Sequence, residues 1–337
     1  MKIKNHIKLL SLMLLVAFGP MSLELYLPAV HSIATSLNTS VKQVQLTISL
    51  YPIGFGISQL ILGPVSDSLG RKKILFFGAI IFIITTFACI FVTSIKMLIG
   101  LRILQGIGAG SGPLITRAMV RDIYNKQQMA RILAIIVSVM GFAPAVAPLI
   151  GQFLLYYFTW RSIFVFMLCL ILITLILVHI NFTETNNKTQ KLIFKKIIKD
   201  YLIVLKNFYF MKYSLILCLY YASFFAIITI SPALFHDFSI SNNHFALYFT
   251  FIILFYALGS FTVSHLIKHY DLQSLLRLAI ITSIINIIIS LIINYTNFHY
   301  FKLFLSICPF AFITGIILPI CMTLAMHTID KSGLSSG

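Results

Sequence analysis

Ten long apolar segments, separated by short polar ones, run through the sequence and limit the folds open to it. Most of them reach the roughly 20 residues that a helix needs to cross a bilayer. The chain is 59% hydrophobic and only 10% charged, whereas soluble domains carry about 25% charged residues. The pattern predicts an all-α integral membrane protein and excludes a soluble enzyme, a disordered protein and a disulfide-bonded secreted scaffold. The segments cover residues 9–30, 44–62, 74–93, 97–116, 132–158, 163–182, 213–234, 245–266, 275–293 and 300–324.

The basic residues are divided unequally between alternate connections. Of the 25 lysines and arginines, twenty lie in connections on the side of the N-terminus, four lie in the opposite connections, and Arg102 lies within a segment. Because lysine and arginine accumulate in cytoplasmic loops, the N-terminus is predicted to be cytoplasmic. The same distribution accounts for the net charge of +17 without nucleic acid as a partner. The first segment is too long for a signal peptide and lacks a small-residue cleavage site, so we expect it to be retained.

A long polar stretch separates the segments into two groups. Residues 1–182 hold six segments, residues 183–212 form a lysine-rich cytoplasmic linker, and residues 213–337 hold the remaining four. Within the linker, residues 193–205 show helical spacing of apolar residues with lysines between them. This spacing indicates either an amphipathic helix on the inner membrane surface, where anionic lipid attracts lysine, or a solvated basic linker.

The connection between the second and third segments carries a specific motif. The sequence G-P-V-S-D-S-L-G-R-K-K begins at Gly63 and closely resembles the G-x-x-x-D-x-x-G-R-K-K signature of the major facilitator superfamily. An acid beside a basic cluster can pair across a turn or cap a neighbouring helix. The alternative is surface ion pairing, which contributes little. The resemblance implies an inner gate formed by Gly63, Asp67, Gly70, Arg71 and Asp122.

Further motifs extend this resemblance over the N-terminal half, and it weakens from residue 213 onward. Arg102 and Gln105 belong to a stretch that resembles the R-x-x-Q-G-x-G-A element of proton-coupled members. Residues 25–29 (L-Y-L-P-A) and 160–164 (W-R-S-I-F) resemble the bicyclomycin-resistance/CflA drug-efflux group, in which aspartate usually stands at the position of Glu24. The fifth segment resembles the antiporter motif, at Gly141, Pro144, Pro148 and Gly151.

Two charged residues, Glu24 and Arg102, are predicted to lie well inside the apolar segments. A charge at a helix centre costs about 2.5–3.5 kcal/mol on insertion scales, so an idle one is disfavoured. Burial and a nearby cation act in opposite directions on a carboxyl's affinity for its proton. We therefore expect Glu24 to load and release a proton, with Arg102 adjusting that affinity. The alternative is a structural Glu–Arg pair that joins two helices.

Uncharged polar residues at spanning depth are candidates for contact with a substrate. The glutamines are also suited to hydrogen bonds between helices, and the tyrosine to an interfacial aromatic belt. The candidates are Tyr26, Gln45, Gln59 and Gln105. His265 and His269 have the spacing of a metal pair, but no third ligand accompanies them, so no metal site is predicted. No nucleotide-binding or hydrolase motif occurs, so neither a cofactor nor an enzymatic activity is predicted.

The resemblance implies a secondary transporter that expels amphipathic drugs or metabolites in exchange for protons by alternating access. The substrate is expected to bind near the midplane between the two halves. Its setting would be the lipid of a bacterial inner membrane. The alternatives are a solute importer or facilitator on the same fold and, less favoured, a non-transporting scaffold or an intramembrane enzyme.

The count of segments differs from the pattern that the resemblance implies. Members of the superfamily generally have twelve helices in two halves of six, whereas ten apolar segments are visible here. Residues 330–337 look like a loop and the first turn of an eleventh helix. We therefore expect the last two helices to be missing and transport to be impaired.

Overall fold

The computed structural model of the protein describes residues 2–186, 192–237, 242–267, 269–296 and 300–331. Within these residues the chain forms helices and short connections, with no β-strand, which confirms the predicted all-α fold. The α-helices are α1 (Lys2–Glu24), α2 (Val30–Ser36), α3 (Val41–Leu69), α4 (Arg71–Ile90), α5 (Ile95–Ile123), α6 (Lys126–Tyr157), α7 (Arg161–Asn181), α8 (Phe194–Lys206), α9 (Phe208–Asp237), α10 (Asn242–Leu266), α11 (Leu272–Thr296) and α12 (Tyr300–Lys331).

Nine of the ten apolar segments correspond to one long helix each, and the first is divided between two helices. In the described part of the chain, eight helices are long and apolar enough to cross a membrane. The described residues of α6 and α10 contain shorter apolar stretches, Val146–Tyr157 and Leu247–Val263. Most of the loop expected at residues 330–337 lies outside the described residues, which end at Lys331.

The first segment is not one continuous helix, contrary to the prediction. α1 ends at Glu24, and a short 3₁₀ turn, Leu27–Ala29, connects it to α2. Pro28 explains the break, because proline lacks a backbone N–H and disfavours helical geometry in the residue before it. Irregular backbone at membrane depth is tolerated where protein covers it, and Leu25 and Tyr26 are fully buried.

The turn between α3 and α4 is much shorter than the predicted connection. α3 continues to Leu69 and α4 begins at Arg71, so that only Gly70 separates them. Gly70 has φ of +106°, a conformation that is open to glycine and strained for other residues. Asp67 therefore lies in the last turn of α3, and Arg71 starts α4, whereas the prediction placed both in a loop.

The chain forms two compact units, Met1–Leu192 and Ile193–Gly337. In the first unit, glycines on α5 allow close approach to three neighbouring helices. A methyl group at Gly106 would overlap the Tyr51 carbonyl of α3, and one at Gly108 would meet the backbone of α4. A methyl group at Gly112 would overlap the Leu15 carbonyl of α1. Small residues of this kind let membrane helices pack backbone to backbone.

The second unit contains α8 to α12. α12 packs against α9, α10 and α11 around a core that includes Ile317, Ile320 and Cys321. α10 and α12 approach closely at Gly259 and Gly315, where an added methyl group would overlap a carbonyl of the opposite helix. α8 confirms that the polar stretch contains a helix. It begins and ends one residue later than the predicted 193–205.

Candidate functional site

Glu24 is the last residue of α1 and lies at the start of the break caused by Pro28. Its exposed fraction is 4%, and its Oε2 atom has no hydrogen-bond partner in the described part of the chain. Two residues further along the chain, the Tyr26 hydroxyl accepts a hydrogen bond from the Thr47 hydroxyl of α3 at 2.9 Å. A buried carboxyl group thus lies where the helix is interrupted.

Arg102, on α5, is fully buried and lies between two tyrosine rings. Its guanidinium carbon is 4.6 Å from the ring centroid of Tyr26 and 4.4 Å from that of Tyr51. Such cation–π contacts stabilise a desolvated guanidinium. The Nη1 group donates to the Gln105 side chain, while Nε and Nη2 have no partner among the described residues.

Glu24 and Arg102 do not form an ion pair in this conformation: the salt bridges of the described residues involve other groups. The Glu–Arg pair weighed as an alternative is therefore absent here. The Arg102 guanidinium instead contacts the ring of Tyr26, which is two residues after Glu24 in the chain. The broken segment therefore has Glu24 at its start and Arg102 against its tyrosine.

Two of the predicted glutamines make hydrogen bonds between helices. Gln105 donates to the Thr86 hydroxyl of α4 at 2.7 Å. Gln59 is half-buried and donates to the Gly110 carbonyl of α5 at 2.7 Å. Gln45 is also half-buried, on α3. The structure therefore places Gln105 beside Arg102 and directs the Gln59 amide towards the α5 backbone.

The antiporter motif lies on α6, and one of its residues contacts the broken segment. A methyl group at Gly151 would overlap the carbonyl oxygen of Leu25, the residue after Glu24. Pro148 is buried. Gly141 and Pro144 lie within α6, at positions where the structure describes the backbone and not the side-chain environment. The structure thus brings the end of this motif to the backbone beside Glu24.

The charged residues of the α3–α4 turn converge on Arg71. Its guanidinium forms an ion pair with Asp67, and its Nε lies 3.2 Å from the Asp122 carboxylate of α5. The Ser66 hydroxyl accepts a further hydrogen bond from Nη1 at 2.6 Å. Arg71 is 5% exposed, so this cluster is partly desolvated and differs from a fully exposed surface pair. Gly63, by contrast, has open space beside its Cα.

Glu184, which sequence reasoning did not assign to the inner gate, caps α4. The first N–H groups of a helix have no partner within it, and here Arg71 and Lys72 donate theirs to the Glu184 carboxylate at 2.8 Å and 3.1 Å. Partial burial acts to raise the pKa of this carboxyl. Four backbone N–H donors, those of Asn186, Arg71, Thr185 and Lys72, outweigh burial and hold the pKa below its ordinary value of 4.5.

Two features of the sequence point to Glu184 in retrospect. It is one of only eight acidic residues in the chain, and it follows the last helix of the N-terminal half at Asn181. Its partners on α4, Arg71 and Lys72, lie more than a hundred residues earlier, and sequence spacing alone does not reveal such a contact. Tyr51 and Thr86 were missed for a related reason, because nothing in a single sequence separates them from other core residues.

The fold defines a multi-pass helical membrane protein with charged residues buried between its helices. A family model described as Major Facilitator Superfamily matches residues 12–337. The chain is 30% identical to an uncharacterised MFS-type transporter, YdgK, of Bacillus subtilis (strain 168), over 96% of this chain and 81% of the relative. The chain therefore belongs to the Major Facilitator Superfamily, as its motifs predicted.

Other relatives carry names that refer to drug resistance. The bicyclomycin resistance protein homolog of Haemophilus influenzae is 27% identical over 82% of this chain and 70% of the relative. Multidrug resistance protein D of Escherichia coli (strain K12) is 35% identical over 50% of this chain and 42% of the relative. Among solved structures, a D-xylose-proton symporter matches with a TM-score of 0.78 at 13% identity, over 95% of this chain and 82% of that one. At this identity the match supports the fold alone.

Proposed function

We propose that this transporter exports amphipathic small molecules in exchange for protons, with Glu24 as the proton-carrying group. The names of the relatives support a drug as the substrate, since they include bicyclomycin resistance and multidrug resistance proteins. The antiporter motif at Gly141, Pro144, Pro148 and Gly151 supports exchange rather than import. We infer further that the N-terminus and the basic linker at 183–212 face the cytoplasm of a bacterial cell.

The observation that carries this proposal is the buried Glu24 carboxyl group at the end of α1. An ionised carboxylate removed from water is costly unless hydrogen bonds or a counter-ion compensate it. Glu24 has neither an ion pair nor a partner for Oε2 among the described residues. A conformation that brings water or a cation to this group changes whether it holds a proton, which is what coupling requires.

The contacts of Arg102 support a role for it in the same change. Its Nε and Nη2 groups have no partner among the described residues, while the rings of Tyr26 and Tyr51 hold its guanidinium in place. Tyr26 belongs to the broken segment that starts after Glu24. A movement of that segment therefore alters the surroundings of Glu24 and Arg102 together, and we assign to Arg102 the adjustment of the proton affinity of Glu24.

The cluster around Arg71 is proposed as the inner gate. Arg71 holds α3 and α5 together through Asp67 and Asp122, and Glu184 fixes the start of α4 on the same side. Because the cluster joins three helices through one buried guanidinium, it is suited to stabilise one of two arrangements. Its proposed role is to favour the state in which the cytoplasmic side is closed.

Reconstitution into vesicles with an acidic interior tests the proposal, using ethidium and chloramphenicol as probes. Outward proton flow should drive the wild-type protein to accumulate the probes. Glu24→Gln, which keeps the size but cannot ionise, should abolish accumulation. The same variant should still exchange labelled for unlabelled chloramphenicol without a gradient, because exchange requires no net proton movement. Glu24→Asp, which keeps the carboxyl group, is the matched control and should retain coupled transport.

Two outcomes contradict the proposal. Gradient-driven accumulation by Glu24→Gln at the wild-type rate would remove Glu24 from the coupling step. Loss of both accumulation and exchange in Glu24→Gln and Glu24→Asp would show that Glu24 maintains the structure and does not carry the proton.

A further inference from the structure

α8 has a stripe of large apolar side chains that are exposed among the residues that the structure describes. Phe194, Ile198, Tyr201 and Leu205 follow one another at intervals of four, three and four residues, which places them on one face of the helix. Their exposed fractions are 68%, 59%, 38% and 54%. A continuous apolar surface of this kind marks a site of interaction.

A second stripe, of lysines, lies beside the apolar one. Lys195, Lys199 and Lys206 each follow an apolar stripe residue by one position, so they occupy the adjacent face of α8, and all three are exposed. Asp200, the one acidic residue of the helix, falls on the side opposite the apolar stripe. Lysine stems can cover apolar surface while their charged ends reach outward. The helix therefore combines an apolar face with a row of positive charges along its edge.

α8 is joined directly to α9, a helix that is long and apolar enough to span a membrane. Asn207 is the only residue between the two helices; its side chain accepts from the Phe210 N–H at 3.1 Å and donates to the Thr328 carbonyl of α12 at 3.5 Å. α9 is long and apolar enough to span the membrane from Phe208. Phe208 and Tyr209 are 74% and 61% exposed, as in an aromatic belt at a membrane surface.

We propose that α8 binds the surface of the bilayer, with its apolar stripe among the acyl chains and its lysines against anionic phospholipid headgroups. An apolar stripe alone would fit many partners. The adjoining lysines and the direct connection to a membrane-spanning helix select an anionic lipid surface. This inference does not depend on the substrate or on proton coupling, because it concerns residues outside the candidate transport site.

The depth of α8 can be measured with nitroxide labels on the full-length protein, after replacement of its native cysteines. The labels are placed at Ile198→Cys, on the apolar stripe, and at Asp200→Cys, on the opposite face, and the protein is embedded in bilayers of phosphatidylcholine with phosphatidylglycerol. The label at residue 198 should be accessible to oxygen and shielded from a water-soluble nickel complex, and the label at residue 200 should show the reverse. Leu205→Cys should repeat the result for residue 198.

Two outcomes overturn the assignment. Accessibility of the label at residue 198 to nickel would indicate a solvated linker. Shielding of that label from both oxygen and nickel would indicate that protein covers the stripe.

The contribution of the lysines is tested by changing charge and lipid together. Changing Lys195, Lys199 and Lys206 to glutamine should lower the ratio of immersed to water-exposed label at residue 198 by roughly fivefold per lysine in membranes with phosphatidylglycerol. The same changes should have little effect in phosphatidylcholine alone. The matched triple change to arginine keeps the charge and should preserve immersion. An equal loss in both lipids, or no loss in either, would contradict the recognition of anionic headgroups.

Discussion

Removing the Glu184 side chain should release the N-terminus of α4. Glu184→Ala leaves the N–H groups of Arg71 and Lys72 without their acceptor. Loss of a helix cap costs about 0.5–2 kcal/mol, and because Glu184 is exposed to solvent we expect about 1 kcal/mol. Amide exchange at these two positions should therefore accelerate about fivefold. Residue-resolved hydrogen exchange by mass spectrometry measures this directly.

The pH dependence of the same exchange follows from the pKa of Glu184. Because the folded-state pKa lies below the ordinary value of 4.5, the stabilisation from the charged cap is present above 4.5 and is lost as the pH falls through the lowered value. The wild-type protein should protect the amides of Arg71 and Lys72 from exchange better than Glu184→Ala does. This difference in protection should be constant from neutral pH down to about 4.5 and decrease only below it. Asn186→Ala is the control, since it removes the side-chain hydrogen bond to the Asp67 carbonyl and leaves the acceptor of α4 in place. Unchanged exchange in Glu184→Ala would refute the capping role.

Two further predictions concern helix packing and the buried guanidinium. Gly54→Ala should lower the stability by about 1–3 kcal/mol in thermal unfolding, because the methyl group would overlap the Ile103 carbonyl of α5; Gly56→Ala, with open space around it, should be neutral or slightly stabilising. Arg102→Lys should lower the unfolding temperature and slow proton-coupled transport, since an ammonium group does not stack between two tyrosine rings as a guanidinium does. Equal unfolding temperatures for the two glycine variants, or a fully active Arg102→Lys, would contradict these assignments.

Much of the architecture could be predicted because the membrane restricts the solutions. A backbone in lipid must satisfy its own hydrogen bonds, so long apolar segments become helical. Nine of the ten predicted segments correspond to one helix each, and the first is divided by the 3₁₀ turn Leu27–Ala29. The helix ends were predicted less well. α3 continues to Leu69 and α5 to Ile123, beyond the apolar residues, because helices extend past the apolar layer where polar side chains and capping groups support them. The interruption after Glu24 was present in the sequence as Pro28 but was not assigned.

The sequence by itself determined the class of the protein, its helical segments and the residues that bear charge within them, because hydropathy and motif spacing are properties of neighbouring residues. Only the tertiary structure decided how those residues are partnered. Arg102 contacts two tyrosine rings and a glutamine rather than Glu24, and Glu184 caps a helix that begins 113 positions earlier in the chain. Such contacts form when helices distant in the sequence pack side by side, and local patterns do not specify which of the available partners a buried charge will meet.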